Sequence, residues 1–248
     1  MSERHFTDMT PKLYLQALFA ESATQKQKLG TLRTLSDGRE FIYCKSGAAN
    51  LAAGRLVQAK VTDVANHGNL ACANANLGET SVTVTLGNLL ATANMYAEGT
   101  LHVNAGLGAG SMYKIKSHPA ANANATLAVE LYDALLSNLA SANSKASLVY
   151  NPCDGVIIHP SPPTTRLVGN PLFTVTANYY FWAQKRGPSP VDTDGTLVVG
   201  QTCFPSTGED GTVQPSSGNA IDMIKLPIVG EVMNVNANDA WSLINLKL

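Results

Sequence analysis

Charge of either sign is scarce in this chain. Charged residues make up 14% of the 248, seventeen basic against eighteen acidic, with a formal net charge of −1. Proteins that neutralise nucleic-acid phosphates carry a basic excess, and none is present to point that way. Long apolar runs are missing as well. The weakly polar stretch 126–142 is interrupted by Glu130 and Asp133, and no window reaches the roughly 18 apolar residues of a membrane-spanning helix. The N-terminus begins polar and lacks an apolar signal core with a small-residue cleavage site. The expectation is a soluble chain made in the cytosol.

Catalytic signatures are equally sparse. The sequence contains no GxSxG elbow, no HExxH and no P-loop. Cys44, Cys72, Cys153 and Cys203 stand far apart without a CxxC pair, which reads as four buried thiols rather than a disulfide framework. The histidines at 5, 67, 102, 118 and 159 show no metal-ligand spacing. His118-Pro119 and His159-Pro160 read as surface or hydrogen-bonded structural imidazoles. Asp192 and Asp194, beside Gly195 after a proline-rich turn, read as turn formers. Gly106, Gly108 and Gly110 are spaced GxGxG, not the GxGxxG that cradles a dinucleotide, and the following residues look like a strand. A hairpin loop is the better account. No catalytic, cofactor-binding or metal-binding residue is expected, and the chain is read as a non-enzyme.

What is present is strand-and-turn chemistry. Residues 30–45 alternate around Asp37-Gly38, a hairpin signal. Extended runs follow at 61–71, 80–86, 95–103 and 111–116. Residues 126–141 fit either a strand with a turn or a helix, because Leu131, Leu135 and Leu139 fall four apart. Further strands are expected at 172–184, 195–204, 226–235 and 240–248. The expected class is mainly β: an antiparallel β-sandwich or barrel-type body with an extended N-terminal arm and little helix. Four segments result: an arm (1–28) with a short helix near 11–20, a β-rich body (29–151), a Pro-rich linker (152–171) and a C-terminal β unit (172–248).

The densest aromatic cluster is Tyr179, Tyr180, Phe181 and Trp182. On a strand, Tyr179 and Phe181 share one face while Tyr180 and Trp182 share the other. Large aromatics on both faces imply burial on both sides. Core packing is the first reading, a subunit interface the second and a sugar-stacking platform the third. The arm adds apolar side chains suited to clamping a neighbour. The candidate interface residues are Phe6, Leu13, Leu15, Leu18 and Phe19 in the arm, with Tyr180 and Trp182 in the body.

The runs 30–48 and 51–57, with 113–119, Tyr180-Phe181-Trp182, 194–200 and 228–230, resemble β-rich virion proteins of tailed bacteriophages. Within that group the resemblance is to capsid cement or decoration proteins, which sit on the head lattice, commonly as homotrimers. It implies a structural role on the virion after synthesis in the host cytoplasm. The implied partners are the major capsid protein and the chain's own copies, without nucleic acid, membrane, cofactor or reaction. The alternative is a glycan- or receptor-binding module of a head or tail fibre, which leans on an exposed aromatic platform around Trp182.

Overall fold

A computed structural model describes residues 14–216, 226–236 and 240–248. The chain opens with the hairpin β1 (Leu32–Thr34) and β2 (Glu40–Lys45), passes β3 (Val57–Gln58) and makes one helical turn, α1 (Val64–His67). Six strands follow: β4 (Leu70–Cys72), β5 (Ser81–Thr85), β6 (Thr100–Ala105), β7 (Met112–Ser117), β8 (Thr126–Leu131) and β9 (Lys145–Val149). Two short strands, β10 (Ile157–Ile158) and β11 (Leu167–Gly169), precede the long β12 (Tyr180–Asp192). The chain ends with β13 (Thr202–Pro205), β14 (Val213–Pro215), β15 (Gly230–Asn234) and β16 (Trp241–Lys247). The molecule is mainly β and antiparallel, as composition and alternation predict.

Strands β4 to β9 close into a barrel in the order β4-β5-β8-β7-β6-β9. Alternation fills it: Val82, Val84, Leu101, Val103, Tyr113, Ile115, Leu127, Val129 and Leu148 point inward and are essentially inaccessible. The segment 126–141 resolves as strand plus turn, since Leu127, Val129 and Leu131 line the barrel at strand spacing. Leu135 and Leu139 then plug it from the following loop. The glycine triple is the β6–β7 hairpin loop. Gly106 has φ +75°, and a Cβ there would stand 2.2 Å from the Asn143 carbonyl oxygen, so only glycine fits.

The remaining strands build a seven-stranded sheet, β1-β2-β12-β16-β15-β13-β14, and a three-stranded one, β10-β3-β11. The small sheet covers one face of the large one, as in a sandwich. Val57 and Val168 meet Ile42, Cys44, Phe181 and Ala183 in one cluster, while Leu56 and Leu167 meet Val191, Cys203, Ile244 and Leu246 in the next. The division drawn along the chain at 152–171 does not follow this sheet. Strand β2 lies before the Pro-rich segment and β12 after it, yet they pair from Tyr180↔Lys45 to Arg186↔Glu40. The Pro-rich segment itself supplies β10 and β11, the two outer strands flanking β3, an edge position compatible with its prolines.

Strand β12 is staggered. Its first half pairs with β2 and its second half, Arg186 to Asp192, with β16. Pro188 and Pro190 fall where β2 has ended, so no ladder bond is lost for want of their N–H groups. Side-chain amides occupy the vacated side. Gln184 Nε2 donates to the carbonyls of Arg186 (3.0 Å) and Pro188 (2.8 Å), and Asn170 Nδ2 donates to that of Pro190 (2.8 Å).

Two local expectations are corrected. Residues 14–20, expected to be helical, form bends and turns. The Gln16 carbonyl, which a helix would spend on residue 20, accepts instead from Trp182 Nε1 (3.3 Å) and Arg33 Nη1 (3.4 Å). The run 61–71, expected as one strand, contains α1 before β4. Asp63 caps that turn, its carboxylate accepting from Asn66 N at 3.0 Å, which is N-cap chemistry competing successfully with alternation.

Candidate interaction surface

Of the candidate interface residues, Phe6 and Leu13 lie outside the described residues. The structure brings Leu18, Tyr180 and Trp182 together, but inside the chain's own fold. Trp182 is 1% exposed. Its ring meets Tyr43 edge-on at 5.0 Å and Tyr14 at 5.5 Å. Tyr180, half-buried, stacks on Tyr43 at 6.0 Å, and Leu18 packs against the same cluster. The predicted alternation is observed: Phe181 and Tyr179 face the small sheet, Trp182 and Tyr180 the opposite side. Trp182 is therefore core, and it offers no exposed stacking platform.

The cover over Trp182 is the N-terminal segment. Gln16 is buried and central to it, donating from Nε2 to the Tyr180 carbonyl (2.9 Å) and accepting from the Tyr43 hydroxyl (2.7 Å). Ser22 bridges Tyr180 through paired backbone bonds of 3.0 and 2.8 Å. Glu21 accepts from Thr176, and Glu98 accepts from Leu29 N at 2.7 Å. Residues 14–28 are thus bound to the body rather than extended from it. Leu15 and Phe19 point away from the sheet and stay 63% and 62% exposed.

Sequence reasoning missed the barrel's loop end. Antiparallel alternation puts the β4–β5, β6–β7 and β8–β9 loops at one end of the barrel. Each carries an outward leucine: Leu77, Leu107 and Leu136, exposed by 64%, 49% and 76%. The loops are stitched to one another. Leu77 N donates to Asn138 Oδ1 (2.7 Å), Gly78 N to the Leu135 carbonyl (3.0 Å), Ser141 N to Asn74 Oδ1 (2.7 Å) and Ser144 Oγ to the Leu107 carbonyl (2.7 Å). Residues 73–80, 106–111 and 132–144 contain no lysine or arginine; Glu79 and Asp133 are their charges. Lys28, from the N-terminal segment, places its amine 4.4 Å over the ring of Tyr132 in the last of these loops. The asparagine-rich, leucine-tipped loops were the available signal, but only barrel closure shows that they converge.

The histidines beside prolines are buried structural groups. His118 Nδ1 donates to the Pro119 carbonyl (2.8 Å) while Nε2 accepts from Tyr96 N (2.9 Å), which fixes a neutral tautomer. His159 repeats the local bond to Pro160 (2.9 Å), with its other nitrogen 3.2 Å from the Thr212 carbonyl. Burial holds both below the usual imidazole range, outweighing bonds that favour the charged form. Asp192 does more than turn the chain. It pairs with Arg55 at 2.8 Å, and Arg55 also reaches Glu209 (2.7 Å) and the Asp210 carbonyl (2.6 Å). Asp194 accepts from Ser206 Oγ at 2.5 Å.

An open cleft of about 350 Å³ lies beside Lys45, Lys60 and Asp154. Burial raises the Asp154 carboxyl above its usual range, against the two lysines. Ser46, which also lines it, donates its hydroxyl to the Thr176 carbonyl at 2.7 Å. Among the described residues no group of three His, Cys, Asp or Glu side chains is placed to hold a metal, and no helix is long and apolar enough to cross a membrane. No protein-family model, curated protein or solved structure matches the chain.

Proposed function

We propose that this chain is a structural virion protein of a tailed bacteriophage, a capsid cement that binds the outer surface of the major capsid lattice and stabilises the head. The observation carrying the proposal is the barrel's loop end, where three exposed leucines sit on a hydrogen-bonded frame at the tip of a closed barrel. Such a surface loses little conformational freedom when it docks. A homotrimer would present three such tips at once and add their contacts by multivalency toward the roughly 1,600 Å² of a standard stable interface. The role is mechanical, with no reaction and no cofactor. The exposed Leu15 and Phe19 offer a second contact to a neighbour.

The test is co-sedimentation of the purified protein with expanded capsids. The wild type binds; the double variant Leu77→Asp/Leu136→Asp loses at least tenfold in affinity, with an unchanged thermal midpoint because both side chains are exposed. A wild-type chain without affinity for capsid shells sinks the proposal. The glycan-binding alternative is weakened, because Trp182 lies beneath Tyr14 and Gln16.

A further inference from the structure

Two of the four cysteines touch. Cys44, on β2, and Cys153, in the turn after β9, are 0% and 3% exposed and belong to one core cluster. Cys44 Sγ donates to the Ile42 carbonyl at 3.6 Å and lies close enough to Cys153 Sγ for each to perturb the other's titration, and the backbones beside them are paired, Lys45 N donating to the Cys153 carbonyl at 2.8 Å. Cys72 and Cys203 sit apart, one in the barrel core and one under the C-terminal strands. The pair brackets the barrel along the chain: from Cys44 the chain passes β3 and α1 before entering the barrel and returns at Cys153, so β4 to β9 lie between them.

We propose that Cys44 and Cys153 form a reversible disulfide when the protein meets hydrogen peroxide, stapling the barrel's incoming and outgoing chains together. The inference stands independently of the capsid reading. Cys153, the less buried of the two, is the attacking member. The neighbouring Cys44 thiol lowers its pKa, and Arg166, Lys185 and Lys114 act in the same sense, against its burial. Burial instead pushes the Cys44 thiol well up, and that of Cys203 up to about 12. The Cys153 thiolate attacks a peroxide oxygen; an S–O bond forms, the O–O bond breaks, and the departing oxygen leaves as water once protonated. The Cys44 sulfur then attacks the Cys153 sulfur. The S–S bond forms as the S–O bond breaks, and the hydroxyl leaves with the Cys44 proton as a second water. Two thiols lose two electrons and one peroxide gains them.

A bond closing a loop of roughly a hundred residues removes unfolded-state entropy, so the oxidised protein should melt higher by about 5–10 °C. The experiment treats the full native chain with hydrogen peroxide, then maps peptides without reduction and records the thermal midpoint before and after dithiothreitol. Expected is a Cys44–Cys153 linked peptide, a raised midpoint, and reversal of both by the reductant. Cys72→Ser and Cys203→Ser retain the link, and Cys153→Ser loses it. Peptide mapping of the wild type decides alone if Cys153→Ser fails to fold. Four thiols still titrating after oxidation, a link through Cys72 or Cys203, sulfinic acid at Cys153 without a link, or a linked chain melting no higher would each overturn the proposal.

Discussion

At Trp182 burial comes from three directions: Tyr43 from the neighbouring strand, Tyr14 edge-on from the N-terminal segment and the Gln16 carbonyl capping the indole N–H. Trp182→Ala should cost about 3–5 kcal/mol in denaturant unfolding, the scale for emptying a packed aromatic site. Residue chemistry also sets the acid response. His118 and His159 have folded pKa values lowered by burial, so below about pH 6.5 the unfolded chain binds protons that the folded chain refuses. Their contribution is intact above that pH and is lost as pH falls below about 6.5, by at most about 1.4 kcal/mol per pH unit for each imidazole. Urea titrations across this range should show the slope, and His118→Gln should flatten it. Asp37 and Asp63, held low by bonds from Arg39 and Asn66, act in a separate window near pH 4. The His-Pro pairs identified these imidazoles as structural. Their burial was not legible, because it depends on Tyr96 and Thr212, far away in sequence.

At the scale of elements, local rules were readable wherever one rule acted alone. Alternation located β5, β7 and β16, and Asp37-Gly38 located the first hairpin turn. Where two rules competed the reading failed: Asp63 could cap a helical turn inside an extended-looking run, and the apolar spacing of 13–19 suggested a helix that tertiary bonds to Gln16 displaced. Strand β12 carries two prolines because side-chain amides satisfy the carbonyls beside them. Gln184→Ala leaves the Arg186 and Pro188 carbonyls without that donor, and a loss of about 1–3 kcal/mol is expected by chemical denaturation. Gly106→Ala puts a methyl against the Asn143 carbonyl at a positive φ. It should destabilise the barrel by about 2 kcal/mol or more, with amide exchange accelerating first in the β6–β7 hairpin.

At the scale of the whole molecule, the N-terminal segment decides what is inside. Deleting residues 1–28 removes Tyr14, Gln16 and Leu18 from the Trp182 face, so tryptophan emission should shift to the red and unfolding should become easier. The sequence by itself determined the β class, the two-faced aromatic strand, the buried cysteines and the loop character of the glycine triple, because each follows from a neighbour-to-neighbour property: period-two alternation, side-chain size or turn stereochemistry. Only the tertiary structure decided that β2 pairs with β12 across the whole barrel, that Cys44 meets Cys153, and that Leu77, Leu107 and Leu136 share one end. Partner choice between distant strands depends on which closed arrangement buries the most apolar surface, and that quantity belongs to the whole chain, not to any stretch of it.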